Sequence, residues 1–447
     1  MVVAETETSP APTQTPLPTQ TPSPTATFTP WPSPTASPTP VAGTLYVDAG
    51  ASLGPISPYV YGENNGPWQN LGKRYMPYIE AAGFTILRFP GGNYGDENIF
   101  VEARLDDYVA LCRSLGAEPM VNVKLYNSSP EDAAKVVRYA NITKGYGIKY
   151  WGIGNEPTLF ATKRKQEGYD TIRYNQEWRE FALAMEAVDP TIQFFGPEPH
   201  QYTSVSWDNP SDMANKDWVK EFLKANGDMV DIVSIHRYPY GSTNPTIDEL
   251  MRNSAEWDKI IPFLRAVIHE TTGRDLPIAI TEVNSHWSAV KGKIASPDTL
   301  YNAIWWADVL GRLISQRVEF VNHFGLEGTG GWSLMSSGGP RPAYYVYLLY
   351  KQFGQELLYS SSDQDLLRIY AARRSDGALT LMVINMTSNP VQKPLTLDNF
   401  TPAGEADLWL LDAEHMAQQL EPVAFATDII LDLPAYSVSL YVIQPAP

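Results

Sequence analysis

The feature that most constrains the fold is a regular alternation of short apolar, β-rich runs with amphipathic helical stretches. Eight runs have the composition of buried strands, at residues 58–63, 85–90, 119–125, 150–155, 193–197, 232–238, 277–283 and 320–326. Helical patterns lie between them, for example at residues 133–139, 174–188, 218–225 and 299–314. Strands that alternate with helices form parallel βα units, and eight units fit a closed barrel better than an open sheet. The sequence therefore predicts an α/β fold of the TIM, (β/α)₈ type.

The pattern changes after a last helical stretch at residues 343–353. Two alternating runs, 366–372 and 378–384, flank Asp376-Gly377 and predict a hairpin. Further strand-like runs follow at residues 408–411, 428–433 and 437–443. We therefore predict a catalytic barrel over residues 44–354 and a small C-terminal β-sandwich over residues 355–447, with residues 44–48 a candidate strand for the sandwich.

The first 43 residues are rich in Pro, Thr and Ser and too poor in apolar residues to form a core. They predict a disordered linker of polyproline II character that attaches the barrel to a cell surface or another module. The alternative is a disordered tail without a function. Residues 1–6 lack the basic and apolar regions of a signal peptide. Because such linkers are typical of extracellular proteins, we expect a secreted or extracellular protein whose export signal is absent here. No apolar run is long enough to predict a membrane span.

Charge and composition narrow the class of partner. With 50 acidic and 33 basic residues the net charge is −17, which disfavours nucleic acid and acidic substrates. The single cysteine, Cys112, excludes an intrachain disulfide, and the six histidines show no H-E-x-x-H pattern, so we expect no metal or other cofactor. The 12 Trp and 25 Tyr residues favour a carbohydrate partner, since aromatic rings offer flat apolar platforms to sugars.

In a TIM barrel the active site lies at the carboxyl ends of the strands, so polar residues there are the candidates. They are Glu63, Arg88, Asn122, Lys124, Asn155, Glu156, Glu198, His200, His236, Tyr238, Glu282, Asn284 and His323. Cleavage of a glycosidic bond requires one carboxyl group as an acid and a second, ionised one as nucleophile or base. Strands four and seven lie across a barrel from each other, so Glu156 and Glu282 are the predicted pair.

Two motifs carry a resemblance to a known group of enzymes. Gly154-Asn155-Glu156-Pro157 on strand four, with Ile280-Thr281-Glu282 on strand seven, resembles glycoside hydrolase clan A. The continuation through Val283-Asn284-Ser285 is similar to family 39, which includes β-xylosidases. The motifs at residues 88–93, 149–156 and 236–238 are closer to family 51, which includes α-L-arabinofuranosidases and some endoglucanases.

The resemblance implies a retaining mechanism with Glu156 as general acid/base and Glu282 as nucleophile. It also implies that Asn155 bonds the hydroxyl next to the anomeric carbon and that Arg88 and Tyr238 hold Glu282 ionised and oriented. The other predicted site residues, expected to bind substrate or to support the site, are His236, Glu63, Asn122, Trp332 and Asn284. For Glu63 and Glu198 three roles stay open, namely catalysis under a different strand register, sugar binding and ion pairing.

The leading hypothesis is a secreted retaining glycoside hydrolase of neutral plant-type polysaccharides or oligosaccharides, either an endo-β-glycanase or a β-xylosidase-like enzyme. The alternative within the same chemistry is an α-L-arabinofuranosidase. The alternative of another class is a non-catalytic carbohydrate-binding or cell-surface protein on the same fold.

Overall fold

The structure is a computed structural model that describes residues 41–69 and 71–447. Residues 1–40 of the predicted linker lie outside the described residues. None of the helices in the described ranges is both long enough and apolar enough to cross a membrane.

Eight parallel strands close into a barrel and confirm the predicted fold. They are β2 (Gly62–Asn64), β3 (Ile86–Phe89), β4 (Glu118–Val123), β5 (Tyr150–Ile153), β6 (Gln193–Pro197), β7 (Ile232–Arg237), β8 (Ile278–Val283) and β9 (Phe320–His323), preceded by β1 (Leu45–Pro55). The first predicted strand begins too early, because Pro58–Val60 forms a 3₁₀ helix. The Ser57 hydroxyl caps this turn by accepting the Tyr59 N–H at 3.2 Å, and Pro58 has no N–H to give to a strand.

Helices cover the outside of the barrel and fill the connections between strands. They are α1 (Met76–Ala82), α2 (Tyr94–Glu97), α3 (Glu102–Leu115), α4 (Pro130–Val137), α5 (Phe160–Lys163), α6 (Thr171–Glu186), α7 (Trp218–Asn226), α8 (Ile247–Asn253), α9 (Trp257–Thr272), α10 (Leu300–Ser315) and α11 (Pro342–Tyr350). A π-helical segment, Arg138–Thr143, extends α4, and short 3₁₀ turns lie at Pro157–Leu159, Ser206–Asp208 and Ser254–Glu256.

The interior of the barrel changes from apolar to polar along the strands. A buried apolar cluster contains one residue from each of seven strands, namely Ile86, Met120, Tyr150, Phe195, Ile232, Ala279 and Phe320. Because alternate strand residues face the same side, the next inward positions toward the carboxyl ends are Arg88 and Asn122, both buried. The apolar layer closes one end of the barrel, and the polar layer above it forms the floor of a site.

The C-terminal domain is built from one continuous sheet. Its strands are β1, β12 (Glu356–Ser362), β13 (Leu367–Arg373), β14 (Leu379–Asn385), β15 (Val391–Asp398), β16 (Pro402–Leu411), β17 (Gln418–Gln419), β18 (Val423–Ala424), β19 (Asp428–Leu433) and β20 (Ser437–Pro445); β10 (Met335–Ser336) and β11 (Gly339–Pro340) form a separate ribbon. The order is β17-β16-β20-β14-β13-β12-β1-β15-β19, with β1 antiparallel to β12 and parallel to β15. The hairpin at Asp376-Gly377 joins β13 and β14.

Each face of this sheet has its own core. One face encloses an apolar cluster to which both ends of the sheet contribute, including Ala406 on β16 and Leu431 on β19. The other face packs on the barrel, where Tyr370 donates to the buried carboxylate of Asp308 on α10 at 2.6 Å. The barrel and the β-domain therefore share one continuous core.

Candidate active site

Glu282 lies at the end of β8 and is held by three donors. Its Oε1 accepts from Arg88 Nη1 and from the Gly92 N–H, both at 3.0 Å, and its Oε2 accepts from the Tyr238 hydroxyl at 2.6 Å. Gly92 has φ 63°, and a Cβ there would lie 3.2 Å from the ring of Phe324, so the position favours glycine. The carboxylate is thus fixed in orientation by donors from three different parts of the barrel.

Arg88 is fully buried at the centre of the site. Besides Glu282 it bonds Asn64 Oδ1 and Asn155 Oδ1, each at 2.8 Å, and forms a two-pronged pair with Glu198 at 3.0 and 3.2 Å. Burial lowers the pKa of Arg88, but the two carboxylates outweigh it and the net shift is upward. The guanidinium therefore carries a permanent positive charge between two acids.

Glu156 directly follows the loop residues Gly154 and Asn155 at the end of β5. It has φ 48°, a left-handed backbone that is costly for a residue with a side chain and that often marks functional sites. Gly154 turns the chain with φ 80°, and a Cβ there would lie 2.9 Å from the Cβ of Leu125. The turn presents Glu156 to the barrel mouth while Asn155 stays buried on Arg88.

The turn that carries Glu156 depends on a residue that the sequence did not reveal. Asp96 on α2 is fully buried, and its Oδ2 accepts the Asn155 N–H at 2.6 Å. Its Oδ1 accepts the N–H groups of Leu125 and Tyr126 at 2.9 and 3.1 Å. The partners are backbone groups from the loops after two other strands, so no side-chain motif marks Asp96 in the sequence.

Glu156 and Glu282 face each other across a short gap, and His236 lies between them. One carboxylate oxygen of each and a ring nitrogen of His236 all lie within 4.8 Å of one another. In the described part of the chain these three donors could hold a metal ion. A proton explains the arrangement equally well, because His236 Nδ1 lies 3.1 Å from Glu156 Oε1 in a hydrogen bond.

The charges around His236 determine where that proton lies. Burial lowers the pKa of His236, but Glu282, Glu156 and Glu198 outweigh it and raise that pKa to about 9. Burial likewise raises the pKa of Glu156, but the hydrogen bond and the positive charge of His236 reverse the shift. In the free site the pair therefore holds one proton, and His236 carries it.

This assignment predicts a pH-dependent stability. A histidine whose folded pKa lies above its unfolded value of 6.5 stabilises the fold fully below that pH, and the contribution is lost as pH rises toward 9. The free energy of unfolding should therefore fall by about 2 kcal/mol between about pH 6.5 and pH 8. Above that range Cys112 adds its own slope, since burial raises its pKa to about 12.

Denaturant unfolding at several pH values measures this slope, and His236→Gln serves as the comparison because it cannot gain the proton. Burial lowers the pKa values of His200, His286 and His323, so each adds a small slope of opposite sign near pH 6.5 that is the same in both proteins and cancels in the comparison. An equal slope in the His236→Gln variant would contradict the assignment.

Glu63 and Asn284 lie below the site rather than in its opening. Glu63 is fully buried, and its Oε2 lies 3.0 Å from His323 Nδ1. Asn284 accepts the Ser285 N–H through Oδ1 and donates through Nδ2 to the carbonyls of Phe324 and Trp332. Both side chains are fully buried, which fits a supporting role.

Three further predicted residues, Asn122, Glu198 and Trp332, lie in or beneath the site, whereas His200 contacts Thr158 Oγ1 through Nδ1 at 2.8 Å and Lys124 directly follows β4. Asn122 donates to the Gly154 carbonyl at 2.8 Å and to Glu198, so it braces the β5 turn. Glu198 has φ 54° and is the second carboxylate partner of Arg88, which fits the ion-pairing role among the three left open. Trp332 is half-buried, with its ring centroid 6.3 Å from that of Phe324 beside Gly92. That location fits the predicted floor under a sugar.

Comparisons with known proteins give relatives that match about half of this chain. Rat heparanase is 26% identical over 277 residues, which cover 58% of this chain and 48% of heparanase. An intracellular exo-α-(1→5)-L-arabinofuranosidase of Acetivibrio thermocellus is 24% identical over 249 residues, 47% of this chain and 46% of its own. A β-xylosidase of Geobacillus stearothermophilus is 24% identical over 274 residues, 54% and 48% respectively. The chain thus spans about half the length of these curated relatives.

Solved structures share the fold over nearly the whole described chain. CelM2, a bifunctional glucanase-xylanase from a metagenome library, superposes with a TM-score of 0.72 at 19% identity, covering 90% of this chain and 99% of its own. The α-L-arabinofuranosidase of Thermotoga maritima gives 0.72 at 18%, covering 90% and 100%. Residues 366–440 match the family model of the C-terminal immunoglobulin-like domain of D-apionate lactonase. The resemblance to clan A, with its mixed likeness to families 39 and 51, is confirmed.

Proposed function

We propose that this protein, a homologue of the clan A glycoside hydrolases, is a retaining glycosidase of neutral plant-type polysaccharides or their oligosaccharides. Its action is that of an endo-β-glycanase or a β-xylosidase-like enzyme. We further propose that it works outside the cell, attached to a cell surface or another module through its Pro/Thr-rich N-terminal segment.

The observation that carries this proposal is the pairing of two unlike carboxyl groups. Glu282 is buried and has three fixed donors, whereas Glu156 is partly exposed and shares a proton with His236. Their nearest approach lies within 4.8 Å, which suits the separation of roughly 5 to 5.5 Å in retaining enzymes rather than the wider gap of inverting ones.

The geometry supports a double displacement. Glu282 attacks the anomeric carbon, the glycosidic C–O bond breaks, and the leaving oxygen takes a proton from Glu156. A water molecule then gives a proton back to Glu156, and its oxygen displaces Glu282 from the anomeric carbon. A bound substrate covers Glu156 and displaces the water that still contacts its carboxylate. Loss of that water disfavours the charged pair of Glu156 and His236 relative to the neutral pair, so the proton moves from His236 to Glu156.

The choice of sugar rests on charge and on the likeness to known enzymes. A net charge of −17 disfavours polyanionic polymers. The structural neighbours include a glucanase-xylanase, which supports the leading proposal, and the arabinofuranosidases among the relatives and structures support α-L-arabinofuranosidase as the second candidate.

A substrate panel read by NMR tests the proposal. It contains aryl β-xylosides, β-glucosides and α-L-arabinofuranosides together with xylan, β-glucan, arabinan and mannan. We expect hydrolysis of at least one substrate, with the first-formed product keeping its anomeric configuration. Inversion of configuration, or binding without hydrolysis on every substrate, would overturn the proposal, and the second result would favour the non-catalytic alternative.

Asp96 is a positioning residue in this mechanism. Its carboxylate holds the Asn155 N–H, and so the turn that presents Glu156, while Gly92 on the same short segment holds Glu282. Asp96→Asn places an NH₂ donor against one of the three backbone N–H donors. We expect kcat to fall roughly 10- to 100-fold for substrates with poor leaving groups, because a small displacement of an acid is costly.

Activated aryl glycosides separate this effect from general damage to the enzyme, because their aryl leaving group departs without a proton. For these substrates kcat should fall less than about threefold. Asp212→Asn is the matched control, because Asp212 also binds backbone N–H groups, of Ala214 and Lys216, in a loop after β6. Equal losses on both substrate types would show that Asp96 serves only folding.

A further inference from the structure

Exposed tryptophans are confined to one end of the barrel. Among the described residues three tryptophan side chains are largely exposed, Trp68 at 43%, Trp207 at 87% and Trp287 at 60%. They follow β2, β6 and β8 respectively, so each lies in a loop at the carboxyl end of a strand. This is the end at which Glu156 and Glu282 meet. If exposed tryptophans were distributed at random over the surface, some would also lie on the β-domain or on the outer helices.

Trp68 is anchored to the segment that holds the nucleophile. Its ring occupies the space where a side chain on Gly66 would lie, 2.0 Å from an ideal Cβ, and its centroid is 5.5 Å from that of Tyr94. Tyr94 follows Gly92, the N–H donor to Glu282, by two residues. The ring is therefore supported on one side and open on the other.

Trp287 is anchored in the same way on the neighbouring side of the barrel. Its backbone N–H donates to the Tyr240 carbonyl at 3.1 Å, and its ring lies 3.0 Å from an ideal Cβ on Gly241. Tyr240 follows Tyr238, the hydroxyl donor to Glu282, by two residues. A side chain in place of Gly241 would push the ring away from this position.

The two rings flank the loop that carries Trp332. In the closed barrel β9 lies between β8 and β2, so the loops after these three strands are neighbours at the rim. Fixed aromatic faces in such a row suit the flat, apolar CH faces of sugar rings. Because the two rings lie in loops on either side of the β9 loop, together they offer a ligand more apolar surface than one sugar ring covers.

We infer that Trp68 and Trp287 form binding subsites for neutral sugar units beyond those at the cleaved bond, so that the preferred ligand is a polysaccharide chain. The inference rests on the proposed function for the position of the cleaved bond. It extends that function by assigning the residues that select polymers over small glycosides.

Affinity electrophoresis of the full chain in gels that contain xylan, β-glucan, arabinan or glucomannan tests the inference without turnover. We expect wild-type protein to be retarded by at least one polymer. Trp68→Ala and Trp287→Ala should each weaken that binding roughly 3- to 10-fold, and the double variant more. Trp207→Ala is the matched control, an exposed tryptophan on the same rim whose ring makes no aromatic contact within the described residues. It should leave the binding unchanged.

Hydrolysis of the best aryl glycoside is measured in parallel and should stay within about twofold of wild type in all three single variants. No retardation in any gel, or unchanged retardation in the double variant, would overturn the inference. An aryl glycoside rate that falls together with binding would overturn it too, because the rings would then serve the catalytic centre itself. If retardation depends on the two tryptophans while no substrate is hydrolysed, the proposed function fails and the binding site stands.

Discussion

Replacement of Glu282 by glycine is expected to abolish turnover, with a loss of kcat on the order of 10⁴-fold or more. The variant lacks the oxygen that attacks the anomeric carbon and leaves a space next to Gly92 and Arg88. Azide can enter that space and attack in place of the carboxylate. We therefore expect azide to restore cleavage of an activated aryl glycoside and to give a glycosyl azide of inverted configuration, as measured by NMR.

Glu198→Gly is the informative comparison, because Glu198 pairs with the same Arg88 as Glu282 but is not the proposed nucleophile. It should lose stability and activity without any rescue by azide. Wild-type activity in Glu282→Gly would refute the assignment of the nucleophile. Inverting azide rescue of Glu198→Gly instead would move that role to Glu198.

Replacement of Glu156 by alanine is expected to produce the second largest effect. A general acid typically accelerates the reaction by about 10²- to 10⁴-fold. For substrates with poor leaving groups kcat/KM should therefore fall by about that factor. Activated dinitrophenyl glycosides need no proton for departure and should form the glycosyl-enzyme almost normally. The intermediate should then accumulate, visible by mass spectrometry, because no base activates water.

Azide distinguishes this variant from the first one. It should attack the accumulated intermediate of Glu156→Ala and give a glycosyl azide of retained configuration, since two inversions have then occurred. His236→Gln provides a control for the shared proton, as it retains the acid and should show a shifted pH profile rather than a lost one. Equal losses on good and poor leaving groups in Glu156→Ala would exclude Glu156 as the acid.

Local sequence patterns were sufficient to predict the positions of most strands of the barrel. Apolar residues at alternate strand positions, such as Ile86 and Met120, are followed by Arg88 and Asn122, and this change marks the carboxyl ends. The first strand was the exception, because Ser57 and Pro58 start a 3₁₀ turn within an otherwise strand-like run. Capping by one hydroxyl competes with strand propensity over so short a segment.

Residues that support the site are hard to predict from the sequence. Glu63 lies at a strand end like Glu156 and Glu282, yet it is buried against His323 and does not face the opening. Asp96 was missed because it binds backbone N–H groups, which every residue except proline has. A side chain that recognises backbone leaves no motif in the partner sequence.

Strand periodicity and turn residues act over a few neighbouring positions, so the sequence was enough to place the polar candidates near the carboxyl ends of the strands. The different surroundings of the three acids are visible only in the folded protein, where Glu198 pairs with Arg88, Glu156 shares a proton with His236, and Glu282 is held by Arg88, Gly92 and Tyr238. These contacts join residues from different strands, and closure of the barrel brings them together. Distances, burial and the resulting charge states depend on that closure, so no local pattern contains them.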